Sequence, residues 1–332
     1  MTALAQDVST ARSQRLKRAL QSLAPLGGVA AVLLLAGMTT ESFYTSANLK
    51  LVLFQLGFIG VTAIGQTFVL LVGGIDLSIG SVIGLTTVII AFRTDGSEAQ
   101  LPSAILLALA AGVLIGFVNA TLVLVRQVPP FVATFATFVL VQGSITAWTQ
   151  GAPAGQIPAA LEPMGSGRFL GLPVPVWIFA VLAVTAGLVL SRTGLGRRIY
   201  ASGANRRAAE MSGVRTAGVI AFAYVASAVL AVLAGLIAAG YVGQVDAQLS
   251  RSLNLDSVAA AVIGGIALSG GRGNIVQTIS GVALLAVLLV WMIQLGAGAG
   301  GQLVVVGAAI LLAAWLQNSN LLSRSNQSEG RR

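Results

Sequence analysis

The side chains that most often carry catalysis or bind metal ions are scarce in this sequence. Its 332 residues include 10 Asp and Glu residues but no Cys and no His. The chain therefore cannot form a Ser-His or Cys-His nucleophile pair, or a thiolate or imidazole metal site. A P-loop needs a Lys directly after a Gly, and neither Lys17 nor Lys50 follows one. The residues predict a protein that is not an enzyme, needs no cofactor or metal ion, and cannot hydrolyse ATP through a P-loop.

One carboxylate, Asp76, lies in the apolar stretch LLVGGIDLSIGSVIGL, residues 70–85. If this stretch lies in a bilayer, the carboxylate costs roughly 2.5 to 3.5 kcal/mol, and the adjacent Gly pair weakens any helix through it. We predict that Gly73 and Gly74 end one helix and that Asp76 caps the next. As a cap, its carboxylate accepts hydrogen bonds from the N–H groups of Ser78 and the following residue. A direct role in a transport path or its gate is the alternative.

The elements that position these residues are predicted to be membrane-spanning helices. Hydrophobic residues make up 56% of the chain and charged residues 9%, and about 20 apolar residues suffice for one helical span. We predict an all-α polytopic membrane protein with about ten transmembrane helices, at residues 24–38, 51–72, 75–92, 101–125, 131–148, 174–190, 217–240, 255–268, 275–295 and 303–316. The segment 255–268 is short enough to be re-entrant instead of crossing.

The net charge of +9 is explained by where the basic residues lie. In a soluble domain such a charge would suggest nucleic acid as a partner, but here most of the 19 Lys and Arg residues fall on one side of the predicted helices. The positive-inside rule then places both termini in the cytoplasm. We predict a cytoplasmic tail at 1–23, a transmembrane domain at 24–316, a second cytoplasmic tail at 317–332, and no nucleic-acid partner.

The longest basic segment between two predicted spans is a cytoplasmic loop at 191–216. It contains GRRIYASGANRRAAEMSGV, in which Asn205 is a good helix N-cap and Gly213 is placed to end that helix. Arg206 and Glu210 are four residues apart and can pair. The small side chains at positions 208 and 209 would let another protein approach closely. The predicted contact residues are Asn205, Ala208, Ala209, Glu210, Met211, Ser212 and Gly213. The alternative is a basic helix that rests on lipid headgroups.

A phrase related to the Asp76 motif recurs as GGIALSGGRGN at residues 264–274, without the acid. An internal repeat is one explanation, and reuse of one helix-corner device is the other, favoured here. The candidate corner or gate residues are Gly73, Gly74, Asp76, Ser78, Gly264, Gly265, Ser269, Gly270 and Gly271.

Three motifs in the same order resemble the permease subunits of ribose-type ABC sugar importers. They are GQTFVLLVGGIDLSIGSVIGL, the loop quoted above, and LDSVAAAVIGGIALSGGRGN, and the resemblance runs over residues 51–316. It implies an ABC importer permease fold in the bacterial inner membrane and a path for a monosaccharide or related polyol. It also implies three partners: an ABC ATPase subunit, a periplasmic or lipoprotein sugar-binding protein, and a second permease copy, identical or related. The segment 196–214 would carry the helix that couples to the ATPase.

Two other transporter classes remain as alternatives. A branched-chain amino-acid-type ABC permease is the nearer one. An ion-coupled secondary transporter is less favoured, because its relay acids usually lie in mid-membrane. Here the acids fall in loops and tails or, for Asp76 and Asp256, at predicted helix ends.

Polar and aromatic residues inside the predicted spans could line a central path. The candidates are Gln66, Asn119, Phe131, Phe135 and Gln142. The amides could hydrogen-bond a passing sugar or, alternatively, bond between helices. The rings could stack on a sugar or simply pack against lipid.

Overall fold

The computed structural model describes residues 27–152, 154–244 and 249–329, which are mainly helical. The α-helices are α1 (Gly27–Thr39), α2 (Ser46–Leu71), α3 (Ile79–Thr94), α4 (Leu101–Leu124), α5 (Pro130–Thr149), α6 (Glu162–Gly165), α7 (Val174–Arg192), α8 (Gly194–Ala204), α9 (Arg206–Met211), α10 (Thr216–Val242), α11 (Leu249–Gly264), α12 (Ile275–Gln294) and α13 (Ala299–Glu329). A two-residue hairpin precedes α7, in which β1 (Arg168–Phe169) pairs antiparallel with β2 (Leu172–Pro173).

Six helices in the described ranges are long and apolar enough to cross a membrane, namely α2, α4, α5, α7, α10 and α12. Four shorter apolar helices, α1, α3, α11 and α13, overlap the other predicted spans. The all-α, multi-pass class is therefore confirmed. The number of crossings is supported by length for six helices only, because the apolar parts of the other four are shorter than the roughly 20 residues of a full span.

The centre of the fold is formed by α2 and α10. Helix α2 packs against α7, α10, α11 and α12, and α10 packs against α2, α3 and α4. Both are apolar around most of their circumference and mostly buried, as expected for helices enclosed by others. Helices α4, α5 and α7 instead expose large apolar side chains on their outer faces, which suits contact with lipid or another chain.

The connection between α2 and α3 differs from the predicted tight corner. Helix α2 ends at Leu71 and α3 begins at Ile79, so residues 72–78, which we call the break, are not helical. Gly73 has φ +82°, a conformation that glycine adopts without steric cost. The break is nevertheless largely buried. The prediction that residues 75–78 are helical was wrong, because polar side chains from other helices replace the missing helical hydrogen bonds.

Helix α11 also ends earlier than predicted. Its last residue is Gly264, and residues 265–274 form turns before α12. The predicted span 255–268 is thus displaced toward the amino terminus. Asp256, predicted at a helix end, lies inside α11 and is buried.

The cytoplasmic loop predicted at 191–216 contains two helices, although the sequence suggested one. Helix α8 begins after Thr193, whose Oγ1 accepts a hydrogen bond from the N–H of Gly196 at 3.2 Å. Asn205, in an extended conformation, separates α8 from α9. The two helices are only one residue apart, which ties α9 closely to α8.

Candidate functional site

The Asp76 carboxylate ties the break to α10. Its Oδ1 accepts hydrogen bonds from the Ser78 N–H at 2.9 Å and the Ser78 hydroxyl at 2.6 Å. Its Oδ2 accepts from the Ser227 hydroxyl at 2.8 Å. Asp76 is 0% exposed, so these donors replace the water that a carboxylate otherwise needs.

The predicted role of Asp76 as a helix cap is therefore wrong in one respect. The bond from the Ser78 N–H is present, but Ser78 is itself the N-cap of α3, and the helix start has no side-chain cap. Asp76 instead closes a local turn and holds a neighbouring helix. Its second oxygen is used by Ser227 and not by the helix end.

Side chains from α2, α5 and α11 hydrogen-bond the backbone of the break and of the first turn of α3. In the amide orientation that gives both atoms partners, Gln66 Nε2 donates to the Asp76 carbonyl at 3.0 Å and Oε1 accepts from its N–H at 3.3 Å. Thr134 Oγ1 donates to the Ile75 carbonyl at 3.1 Å. Asn254 Oδ1 accepts from the N–H of Gly80 in the first turn of α3. Non-helical backbone at membrane depth is tolerated only where the protein satisfies it in this way.

The structure separates the residues predicted to line a path. Gln66 and Asn119 are fully buried, and Asn119 Nδ2 donates to the Ser78 hydroxyl at 2.8 Å. Both amides hydrogen-bond the break in this conformation, and their part in a path stays a prediction. Phe131 and Phe135 are 55% and 47% exposed and stack on each other on the outer face of α5, with ring centroids 6.0 Å apart. Gln142 is half-buried on the same helix. Their part in a path stays a prediction.

The two predicted glycine corners meet at a junction of close backbones. The N–H of Gly271 donates to the Leu71 carbonyl at 2.9 Å. A Cβ added to Gly270 would lie 2.9 Å from the Gly73 Cα, and one added to Gly203 would collide with the Leu71 carbonyl. We call these residues the glycine junction: Leu71, Gly73, Gly203, Gly270 and Gly271.

Not every predicted corner residue belongs to the glycine junction. Gly264 packs against the Gln277 backbone of α12, and Gly265 lies next to the Gln277 side chain. Gly74 lies against the Tyr224 hydroxyl of α10. The corner set therefore divides into the junction, the contact of α11 with α12, and the contact of the break with α10.

Substituting Gly203 should loosen the glycine junction. A methyl group in Gly203→Ala meets the Leu71 carbonyl and the Gly271 N–H, so we expect a loss of about 1 to 3 kcal/mol of stability from overpacking. The measurement is the thermal unfolding of the purified protein in detergent. Gly218→Ala on α10 is the matched control, because nothing lies within 4 Å of its added Cβ. Equal melting temperatures for the two variants would contradict the close packing.

Helix α9 has the predicted local structure. Asn205 Oδ1 accepts from the Ala208 N–H at 3.0 Å, and Arg206 Nε donates to Glu210 Oε1 at 3.0 Å. Gly213 follows the helix with φ +79°. A hydrogen bond from the Thr216 hydroxyl, followed by the bond from Arg206, holds the pKa of Glu210 below its ordinary value of 4.5. Glu210 is therefore charged at neutral pH. The stability that its hydrogen bonds contribute to the folded state is lost only as the pH falls through the lowered pKa of Glu210.

The side chains of α9 point in different directions from those expected. Ala209 is only 5% exposed and packs inside this chain, whereas Ala208 is exposed. Met211 is 86% exposed. The prediction that Ala208 and Ala209 form one outward face is therefore wrong, because a helix of this pitch turns successive side chains about 100° apart. In α9 and its C-cap Ser212, the exposed residues that do not line the cavity described below are Ala208, Met211 and Ser212, which we call the outer surface of α9.

A cavity of about 590 Å³ lies between α9, the turn that joins α4 to α5, and the break. Its lining residues are Val72, Gly73, Gly74, Val123, Gln127, Val128, Pro129, Pro130, Arg206, Arg207, Glu210, Ile220 and Tyr224. The loop at 191–216 and the break with its hydrogen bonds around Asp76 are thus close neighbours, because both line this cavity.

Sequence reasoning missed several residues of the site. Ser227 and Tyr224 are polar residues in the apolar helix α10, and Asn254 lies in α11; this interruption of apolar helices was the available signal. Gly203 carried no signal, because its role depends on a backbone more than 100 positions away in the chain.

Comparisons with known proteins agree with this architecture. The family described as branched-chain amino acid transport system / permease component matches residues 48–314. The ribose import permease proteins of Bacillus subtilis and Escherichia coli are each 35% identical to this chain. These matches cover 90% and 87% of this chain, respectively, and 92% of each relative. The autoinducer 2 import system permease protein of Salmonella paratyphi B is 33% identical over 75% of this chain and 72% of its own. No solved structure matches the chain.

Proposed function

We propose, from the premise that this chain belongs to the branched-chain amino acid transport system / permease component family, that it is the permease subunit of an ABC importer for a monosaccharide or related polyol. The observation that carries the substrate class is the 35% identity to two ribose import permeases over nearly the whole chain. The family description by itself would equally suit an amino-acid permease. The relatives' substrates favour the sugar class over that alternative.

The partners follow from what the chain lacks and exposes. It has no P-loop, so ATP hydrolysis belongs to a separate ATPase subunit. Helix α9 presents the exposed, apolar Met211 on a loop rich in arginine. This surface suits the ATPase. A substrate-binding protein delivers the sugar on the opposite side, and a second permease copy, identical or related, completes the path through the bilayer.

The proposed topology has about ten crossings with both termini in the cytoplasm. It assigns residues 1–23 and 317–332 to cytoplasmic tails and residues 24–316 to the transmembrane domain, with the coupling loop at 191–216. The whole of the first tail and residues 330–332 of the second lie outside the described residues. Support comes from the distribution of basic residues and from the ten apolar helices, six of them long enough to span.

Cysteine labelling of this cysteine-free chain tests the orientation. A membrane-impermeant maleimide added to intact cells should label Leu170→Cys, at the exposed hairpin tip, and should label Met211→Cys only after lysis. Both positions are well exposed, so differences in labelling report sidedness. Strong labelling of Met211→Cys in intact cells would contradict the topology.

The proposed mechanism passes force from α9 to the break. Movement of the ATPase displaces α9 and the adjoining α8, and Gly203 of α8 packs directly on the Leu71 carbonyl at the end of α2. Leu71 is also bonded to Gly271, so both corners move together. The break, tied through Asp76 to Ser227 of α10, can then act as the gate of the path.

Reconstituted transport tests the function. Proteoliposomes that contain the permease and its ATPase should accumulate labelled ribose only with ATP on the cytoplasmic side and the binding protein on the other side. Leucine serves as the substrate of the alternative class, and an imposed proton or sodium gradient without ATP serves as the test of ion coupling. Uptake driven by either gradient alone would refute the ABC mechanism for this chain.

A further inference from the structure

The cavity beside α9 has no role in the contact proposed for the ATPase, which uses the outer surface of the helix. Its walls combine apolar residues such as Val72 and Ile220 with the polar residues Gln127, Arg207 and Tyr224. At about 590 Å³ it falls within the usual range of small-molecule sites, roughly 300 to 1,000 Å³. Convergent polar groups on an apolar wall are the usual composition of such a site.

One of its cations is free to bind an anion. Arg206 pairs with Glu210, but Arg207 makes no ion pair among the described residues. A guanidinium presents several N–H donors in one plane and binds the oxygens of a phosphate in a bidentate manner. With two arginines and one glutamate, Arg206, Arg207 and Glu210, the lining carries a net positive charge that suits a phosphate group.

Tyr224 contributes a buried hydroxyl that has no partner. The residue is 0% exposed, and its Oη forms no hydrogen bond within the described part of the chain. The hydroxyl lies against Gly74, where an added Cβ would be only 2.5 Å from it, and both residues line the cavity. Burying an unpaired hydroxyl is unfavourable. Because this hydroxyl is fully buried, a ligand hydroxyl reaches it only when the adjoining Gly74 backbone moves, and it would then gain a partner that the protein itself does not supply.

We propose that this cavity binds a phosphate ester of a small polyol, with the phosphate at Arg207 and the polyol hydroxyls at Tyr224 and Gln127. Two sources share this chemistry: a sugar phosphate in the cytoplasm and the glycerophosphate headgroup of a lipid. In the first case the ester is the product of phosphoryl transfer to an imported sugar, an identification that rests on the proposed function. A ligand there would join α9 to the turn at 127–130 and restrain the loop that the ATPase must move, so the ester would slow import.

Titration calorimetry tests the site. It measures the binding of ribose 5-phosphate, inorganic phosphate and ribose to the permease–ATPase complex in phosphatidylcholine nanodiscs. We expect ribose 5-phosphate to bind at least about tenfold more tightly than ribose. Arg207→Gln should lower the affinity for ribose 5-phosphate and for inorganic phosphate by about tenfold or more, because a charge-assisted pair is lost. Tyr224→Phe should lower the affinity for ribose 5-phosphate and leave the affinity for inorganic phosphate unchanged. Arg198→Gln, an exposed Arg of α8 that does not line the cavity, is the matched control.

A second arm identifies the source of the ester. If ribose 5-phosphate does not bind, native mass spectrometry of the complex in phosphatidylglycerol nanodiscs should show a retained lipid that Arg207→Gln releases and Arg198→Gln keeps. The proposal is overturned if neither ligand binds, if ribose binds as tightly as its phosphate, or if Arg207→Gln changes nothing. Binding is measured without transport, so a chain that fails to import ribose can still bind the ester, and the two proposals fail separately.

Discussion

Ala208→Trp should detach the ATPase from the permease without disturbing the membrane domain. Ala208 is exposed on the outer surface of α9, so the indole would stand between α9 and its partner and force the two backbones apart. Overpacking of this kind costs roughly 1 to 3 kcal/mol, and a loss of 1.4 kcal/mol is a tenfold loss of affinity. We expect ATPase co-purification and ATP-driven uptake to fall by about tenfold or more.

Two variants with the same substitution make this result specific. Ala217→Trp lies on the exposed face of the first turn of α10, outside the proposed contact, and should keep both the ATPase and transport. Ala209→Trp places the ring inside this chain and should lower the yield of folded permease. If Ala208→Trp binds the ATPase and transports normally, α9 is not the coupling helix, and the alternative of a helix on lipid headgroups is favoured.

Asp76→Leu should cause the largest loss of folded protein among single substitutions at the break. It removes the acceptor for three hydrogen bonds, and each buried polar group left without a partner costs roughly 1 to 3 kcal/mol. Asp76→Asn keeps an acceptor for Ser78, and its amide can donate to the Ser227 hydroxyl. We expect Asp76→Asn to retain most folded protein and most uptake.

Fluorescence-detected size-exclusion chromatography and vesicle uptake measure these two effects separately. Glu98→Leu is the control, because it removes a carboxylate from an exposed position. Ser227→Ala should show an intermediate loss, since it removes one of the three donors. Normal folding of Asp76→Asn together with complete loss of transport would contradict the structural role and assign the function to the charge itself.

Much of the local structure could be predicted because it depends on residues close together in the sequence. The cap at Asn205 and the pair of Arg206 with Glu210 involve positions three and four apart, which one helical turn brings into contact. The direction of Ala209 could not be predicted in the same way. It depends on how a six-residue helix lies against α10, and six residues of mixed polarity define no clear apolar face.

The break likewise has one feature that the sequence predicted and one that it did not. The paired glycines and the acid in an apolar stretch correctly indicated an interruption near Asp76. The length of the interruption was wrong, because residues 72–78 are held outside the helix by Gln66, Thr134 and Ser227 from α2, α5 and α10. No pairing rule within one segment reveals partners that lie 59 and 151 positions away.

The sequence by itself determined the membrane class, the six long apolar helices, the absence of a P-loop and the capped helix in the loop at 191–216, because composition and short-range spacing are sufficient for these. Only the tertiary structure decided that the two glycine corners meet, that Asp76 binds Ser227, and that Arg207 and Tyr224 line one cavity. The physical reason lies in α2 and α10. Both are apolar around most of their circumference, so their sequences carry no periodic signal of which face meets which neighbour, and close packing of the whole bundle makes that choice.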